Sequence, residues 1–378
     1  MNLLETLKPL FNENTPWKKG VWPAIEKMGL PTKKWDAFRY SSLVQLNQES
    51  FKLAQANDIK FSGAAGIIAL PLNSAMRSHG ALLLKGFKKA LKEEKNPYAL
   101  LNTAFSDSGL FLYIPPGKTI EMEWTLPSLE EGAMHTPKME IFLGKGAHLS
   151  VNYTQKGRGH YFYNQYLQLS LEEGATASIN EHLEHNSEGF AMHTIRARLK
   201  KEAFFKMFTF SKGACTERHD IQVSLEGERS EVDLKGLSLP ALKDEIHHYI
   251  DVRHVAPNCR SYQHYKTALM GRARSSFEGK IFVEKEAQQT EAYQLNNNLL
   301  LSPKTHAMSK PNLEILADDV KASHGATVTR PKEDELFYLQ TRGLSKREAE
   351  WHLARGFCAE LACREIIDRF LHRGQKDG

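Results

Sequence analysis

The sequence predicts a mainly β protein in which a β-solenoid core is flanked by N-terminal and C-terminal helical domains. Three observations carry that expectation. A turn followed by a strand of period-2 alternation recurs at near-constant spacing through the middle of the chain. Apolar residues spaced i, i+3, i+4 mark the two ends of the chain instead. The 378 residues are 41% hydrophobic and 25% charged, enough for two or three domains with real cores. The expected boundaries are 1–104 for the first helical domain, 105–330 for the solenoid and 331–378 for the last helical domain.

In the first region Leu3, Leu4, Leu7, Leu10 and Phe11 follow helical spacing, and 80–95 reads as a helix ending in the charged stretch Lys89 to Lys95. Between them lies an aromatic-rich segment, Lys33 to Leu43, with Trp35, Phe38 and Tyr40. Its rings are expected to anchor this segment against the next domain. From about residue 105 short alternating runs take over. Gly146, Gly174, Glu202 and Glu228 each precede a period-2 run, at spacings of 28, 28 and 26, and Gly117 lies 29 residues before Gly146. Stacked coils have this signature, each burying one face against its neighbours. A β-sandwich would place its turns at about 8–12 residues. Asn296-Asn297-Asn298 is expected to contribute to an asparagine ladder along the stack. After Pro331, residues Glu333 to Thr341 open a helix, and Ser345-Lys346-Arg347-Glu348 forms a capping box for another. Ala349, Leu353, Phe357 and Leu361 make its apolar stripe, broadened by Ala354, Cys358 and Ala362. Some 45 residues are too few to fold robustly alone.

Composition excludes several classes. Lys plus Arg number 50 and Asp plus Glu 45, a net charge of +5 spread along the chain, whereas a nucleic-acid binder concentrates basic charge in a stripe. No apolar run approaches the ~20 residues of a membrane span. Met1 to Thr6 lacks the basic-then-apolar pattern of a secretory signal, so a cytoplasmic location is expected. Four cysteines cannot staple a chain of this length. Pro115-Pro116-Gly117-Lys118-Thr119 ends like a phosphate-binding loop, but Leu112 stands where the first glycine belongs, so a turn before a strand is expected. Gly144-Lys145-Gly146 and Gly157-Arg158-Gly159 lack the third glycine of a dinucleotide fingerprint. There is no Cys-x-x-Cys, no Gly-x-Ser-x-Gly and no His-Glu-x-x-His, hence no visible catalytic set. The densest ligand-capable cluster is His247, His248, His254, Cys259 and His264, with Cys215 and His219 upstream. Adjacent histidines in a strand point to opposite faces, so only one of His247 and His248 can join a given site.

The segment Lys310 to Val328, with its core Lys321-Ala322-Ser323-His324-Gly325-Ala326-Thr327, closely resembles the SufB/SufD family of iron–sulfur assembly proteins. The likeness continues through Leu336 to Leu344 and the helix ending Phe357-Cys358-Ala359-Glu360-Leu361. Upstream, His247-His248, the stretch from His254 to Tyr265, Phe277 to Ile281 and Asn296 to Leu300 look like the same family, as does Asp36-Ala37-Phe38-Arg39-Tyr40-Ser41-Ser42-Leu43. Within it the chain is most like SufD. The resemblance implies a right-handed parallel β-helix and a non-enzymatic subunit of a complex with a SufB-like scaffold chain and a SufC-like ABC ATPase. A homodimer is the state open to the chain alone. It also implies that His324 acts as a cluster or iron ligand at the scaffold interface, where the family commonly carries a cysteine at the position of Ala322. Strand alternation puts Ala322 and His324 on one face. The competing reading of His324 is a hydrogen-bonded core histidine. The resemblance further implies an ATPase contact on the C-terminal helices, expected through Phe337, Tyr338, Arg342, Gly343, Leu344, Leu353 and Phe357.

No cofactor is expected to stay bound to the isolated chain. Iron or a transient iron–sulfur cluster would pass through the complex, and no residue pattern supports a flavin. Two other functions compete. A carbohydrate-binding or carbohydrate-cleaving β-helix would need paired carboxylates in a groove, whereas Glu121, Glu123, Glu231 and Asp233 are scattered. A stand-alone metal sensor would use His247, His254 and His264.

Overall fold

The computed structural model describes residues 2–12, 18–54, 60–62, 66–106, 109–126, 129–362 and 364–371. The N-terminal part holds helices α1 (Leu3–Leu7), α2 (Val21–Met28), α3 (Val44–Gln48), α4 (Leu72–Ser78), α5 (Gly80–Glu93) and α6 (Pro97–Phe105). Short strands β1 (Lys52–Leu53), β2 (Lys60–Ser62) and β3 (Ile68–Pro71) lie among them, unannounced by the helical spacing. The chain then alternates between two sheets. The 11-stranded first sheet takes β4 (Gly109–Ile114), β6 (Ala133–His135), β7 (Lys138–Leu143), β9 (Phe162–Leu171), β11 (Phe190–Leu199), β13 (Thr216–Leu225), β15 (Glu245–His254), β17 (Arg274–Val283) and β19 (His306–Ile315), together with β1 and β3. The 9-stranded second sheet takes β5 (Thr119–Thr125), β8 (His148–Lys156), β10 (Thr176–Glu184), β12 (Phe204–Ser211), β14 (Glu231–Ser238), β16 (Arg260–Leu269), β18 (Thr290–Leu300) and β20 (Val320–Thr329), together with β2. Helices α7 (Glu333–Thr341), α8 (Lys346–Cys358) and α9 (Arg364–Leu371) follow. Each coil therefore gives one strand to each sheet, in parallel register with the coil before it. The fold is the mainly β solenoid that the repeat predicts.

The repeat works through one backbone position per coil. Gly117, Gly146, Gly174, Glu202, Arg229, Asn258 and Gln289 all have φ between 57° and 69°. Each of their N–H groups donates to a carbonyl of the following coil, as from Gly146 to Glu173, Glu202 to Glu228 and Gln289 to Asp319. Glycine meets that left-handed geometry without steric cost, and four other residues hold it against their preference. The register corrects one expected spacing: the fourth equivalent residue is Arg229, 27 after Glu202, and not Glu228.

Between the sheets, inward residues stack in columns along the coils, among them Leu167, Ile195, Ile221 and Ile250 from the first sheet. From the second come Val151, Ile179, Met207 and Leu234, after which the column turns polar as Gln263, Gln294 and His324. Each fully buried aliphatic side chain contributes about 1.5–3 kcal/mol, which makes this interior the main source of stability. The asparagine ladder forms elsewhere than expected. Asn180 Nδ2 donates to Asn152 Oδ1 and Asn152 Nδ2 to Glu123 Oε1, both at 2.8 Å, on the outer face of the second sheet. Asn296, Asn297 and Asn298 instead sit beside Tyr265, Lys266 and Thr267 and beside Ala326, Thr327 and Val328, with no asparagine across from them.

The N-terminal helices cover the outer face of the first sheet, where Leu101 and Phe105 meet Met134, Phe162, Phe190 and Met192. The aromatic segment anchors as expected. The guanidinium of Arg218 lies 4.2 Å from the ring centre of buried Phe38, Ser42 Oγ donates to Glu245 Oε1 at 2.9 Å, and Asp36 pairs with Lys310 at 3.3 Å. The C-terminal helices lie on the second sheet, where Ala354, Cys358 and Ile367 pack on Phe210, Leu237, Leu239, Ala268 and Leu299. The capping box is present: Ser345 Oγ accepts from Glu348 N, and the Glu348 carboxylate accepts from Ser345 N. The buried face of α8 is Ala349, Ala354 and Cys358, rotated from the expected stripe, because small residues let the helix approach the sheet closely. Leu353 and Phe357 flank it, half-buried. Cys363 lies outside the described residues.

Candidate functional site

The two ends of the solenoid differ. At the first, β2 and β3 run antiparallel to β5 and β4 and cover them. At the last, among the described residues, β19 pairs only with β17 and β20 only with β18, so each presents an unpaired backbone edge. Exposed sheet edges are templates for further strand pairing, and most proteins blunt them. Beneath this edge Ile281, Val283 and Ala292 are buried, whereas Leu313, Ile315, Val320 and Ala322 are only half-covered. Met308, Leu316 and Val328 are each about half exposed. The end is thus apolar and uncapped among the described residues.

His324 stands on this end. It is in register with buried Gln294, whose Nε2 donates to Gln263 Oε1 at 2.9 Å, so it continues a polar inward column to the surface. Ala322, two residues before, faces the same way against buried Ala292. Because β20 has no following coil, His324 is exposed, and the core-histidine reading does not describe it. An accessible imidazole beside a methyl-sized neighbour can offer one nitrogen to a metal or an acceptor.

A second surface lies on α7. Phe337 and Tyr338 are 69% and 57% exposed, an apolar aromatic pair with Arg342 5.3 Å from the Tyr338 ring centre. Arg342 and Gly343 are exposed and Leu344 half-buried. Leu353 and Phe357 belong to the edge of the α8–sheet contact, where Lys266 Nζ donates to the Phe357 carbonyl at 3.0 Å. The expected contact residues therefore divide between an open patch and a packed seam.

His247, His254, His264 and Cys259 do not converge on one site. His247 faces outward under the N-terminal segment, bonded to Ser276 Oγ at 2.8 Å and Glu245 at 3.2 Å. His254 faces inward and is bonded to Ser261 Oγ. His264 lies on the outer face of the second sheet near Asn297. Cys259 is buried against Ser230 Oγ and the Gly227 carbonyl, and burial pushes its thiol up; burial pushes the Cys358 thiol up to about 12. Neither thiol is a ready thiolate ligand. Gly117 and Gly146 occupy turns between strands, as expected.

Sequence reasoning missed a polar stretch inside the solenoid. His193, His219 and His248 stack in register across β11, β13 and β15, with Gln165 before them and Phe277 after. Facing them, Glu181 accepts from Tyr153 and from Thr209 Oγ1, and burial raises its carboxyl above the usual range. The signal was present: these histidines share strand parity and recur at one coil's spacing, but only when the repeat is followed on both sheets.

A family model for the SufBD core domain of the SUF system for FeS cluster assembly matches residues 126–357. The chain is 32% identical over 216 residues to an iron–sulfur cluster assembly SufBD family protein of Synechocystis sp., covering 56% of this chain and 47% of that one. It is 32% identical over 197 residues to the iron–sulfur cluster assembly protein SufD of Escherichia coli, covering 52% and 44%. To the chloroplastic protein ABCI7 of Arabidopsis thaliana it is 28% identical over 286 residues, covering 71% and 58%. The matched segment spans about half the length of the first two relatives. With the family model covering more than half of its length and the matched region forming the solenoid, the chain belongs to the SufBD family of iron–sulfur cluster assembly proteins.

Proposed function

We propose that this chain is a SufD-like, non-enzymatic subunit that shapes an iron–sulfur assembly complex and lends it one imidazole. The observation that carries the reading is the last coil, which among the described residues is uncapped, with free edges on β19 and β20 and His324 exposed on β20. A homologous solenoid, a SufB-like scaffold chain, is the partner whose shape and edge chemistry match such an end, since coil would stack on coil as within one chain. Iron or a nascent cluster is cargo at that junction, with His324 as the ligand from this side. A SufC-like ABC ATPase docks on α7 through Phe337 and Tyr338 and supplies the nucleotide chemistry. A cytoplasmic location suits this role. No helix among the described residues is long and apolar enough to cross a membrane.

The test is co-purification of the full chain with a scaffold chain and an ATPase, followed by cluster formation on the assembled complex. His324→Ala should leave the complex intact and lower cluster formation, and Ala322→Cys should be tolerated. Phe337→Asp with Tyr338→Asp should release the ATPase and keep the scaffold. Deleting α8 would be a poor substitute, because it uncovers Phe210, Leu237 and Leu299. Full cluster formation by the His324→Ala complex would sink the ligand role. Retention of the ATPase by the doubly substituted chain would sink the docking role.

A further inference from the structure

Inside the solenoid, far from any exposed edge, three donor residues converge. His193 on β11 and Glu217 and His219 on β13 all face inward, and one ligand atom from each lies within 4.8 Å of the others. Strand geometry makes the set: Glu217 and His219 are two residues apart on one face, and His193 is the register partner of His219 one coil earlier. The imidazoles of His193 and His219 are stacked, with ring centres 4.6 Å apart and planes 5° apart. His193, Glu217 and His219 are fully buried.

Their hydrogen bonding is incomplete in a telling way. Among the described residues, neither nitrogen of His193 has a hydrogen-bond partner, and Glu217 Oε2 and His219 Nδ1 also have none. Buried polar atoms are nearly always paired, so an unpaired set gathered at one point signals a missing ion or water. Glu217 Oε1 is held by Ser211 Oγ at 2.7 Å and by His219 Nε2 at 2.7 Å, which orients the carboxylate. His185 and His248 flank the pair at ring distances of 5.5 and 5.0 Å, each leaving one nitrogen unpartnered. Tyr161 fixes the other nitrogen of His185 at 2.8 Å.

We propose that His193, Glu217 and His219 form a binding site for one divalent first-row transition ion within the solenoid. Two imidazoles and a carboxylate select that class over Ca²⁺ or Mg²⁺, which prefer oxygen donors alone. Ligand bonds of about 2.0–2.2 Å put donors roughly 3–3.5 Å apart, so binding draws the donor atoms together by about an ångström and turns the stacked ring planes toward one point. The ion neutralises the buried carboxylate and gives His193 the partner it lacks. This site departs from the sequence-based expectation that the isolated chain holds no stable cofactor, and it does not depend on the partner reading above.

The experiment uses the full chain isolated from cells grown with added Co²⁺, washed with chelator and analysed for metal per chain and for visible d–d absorption. Wild type should keep about one Co²⁺ per chain with an N/O-ligand spectrum, and His193→Ala and Glu217→Gln should reduce retention at least tenfold. Glu217→Gln is nearly isosteric and can still accept from Ser211, so circular dichroism should show it folded if His193→Ala fails. His324→Ala should keep the ion, which separates this site from the open end. Wild type with far less than one ion per chain would overturn the proposal. So would equal retention by a folded Glu217→Gln chain, or loss of the ion on His324→Ala.

Discussion

His254 gives the sharpest prediction of how this protein responds to acid. Its imidazole lies in the solenoid interior at the end of β15, fully buried, with Nε2 2.8 Å from Ser261 Oγ and Nδ1 unpartnered. Burial alone pushes its pKa down to about 4. Unfolded, the same group titrates near about 6.5. Between those values the unfolded chain binds a proton that the folded chain refuses, so stability falls as the pH drops through 6.5 and levels off below 4. The shift corresponds to about 3 kcal/mol at the plateau and about 2 kcal/mol near pH 5. The perturbation is His254→Gln, which cannot charge and can still bond Ser261. Urea unfolding of both proteins near pH 7.5 and near pH 5 gives four free energies. Wild type should lose about 2 kcal/mol more than the variant over that interval. His185, also pushed down to about 4, adds to the loss in both proteins and cancels in the comparison. Equal losses in the two proteins would refute the assignment of acid sensitivity to His254.

Three further outcomes follow from local geometry. Gly174→Ala should cost about 1–2 kcal/mol through its φ of 68° alone, since nothing crowds its Cβ, whereas Gly227→Ala should cost clearly more, because its Cβ would meet Lys201 N at 1.9 Å; urea midpoints compare them. Burial raises the Asp244 carboxyl to about 6, so its folded form binds more protons than the unfolded chain between about pH 3.8 and 6, and stability declines as pH rises through that range. Asp244→Asn should therefore raise the melting temperature at neutral pH and flatten this part of the pH profile. Ser345→Ala removes the side-chain acceptor at the start of α8 and should cost about 1 kcal/mol, seen as faster amide exchange at Lys346 to Glu348.

The solenoid is legible in the sequence where glycine marks the left-handed turn, at Gly117, Gly146 and Gly174, and fades where Glu202, Arg229, Asn258 and Gln289 take over the same backbone shape. Their φ values are set by the stack and not by local preference, which is why the fourth spacing is misread by one residue. The capping box at Ser345 is local and therefore readable. The buried face of α8 is not, because Ala354 and Cys358 gain their burial from a sheet more than fifty residues away in sequence. His324 can be singled out by motif, but its exposure depends on β20 being the last strand of its sheet. The trio of His193, Glu217 and His219 is invisible to spacing rules that search one segment, since its members meet only across a coil.

The coil-to-coil register also sets how such a chain folds. Parallel strands usually pair across large sequence separations and form slowly. Here each strand from β4 onward meets its neighbour only about 28 residues away, as in His148 with Thr176 and Thr176 with Phe204, so every new coil can zip onto a finished one at small loop-closure cost. A ribosome would release coils in the order that lets the covered end form first and the uncapped end last, delaying the sticky edge until the coils before it are made. The longest reach among the described residues belongs to the segment from Asp36 to Ser42, whose bonds meet Arg218, Glu245 and Lys310 across 274 residues at the longest. It must wait for coils made much later, and it closes as a latch that records that the stack has been built in register.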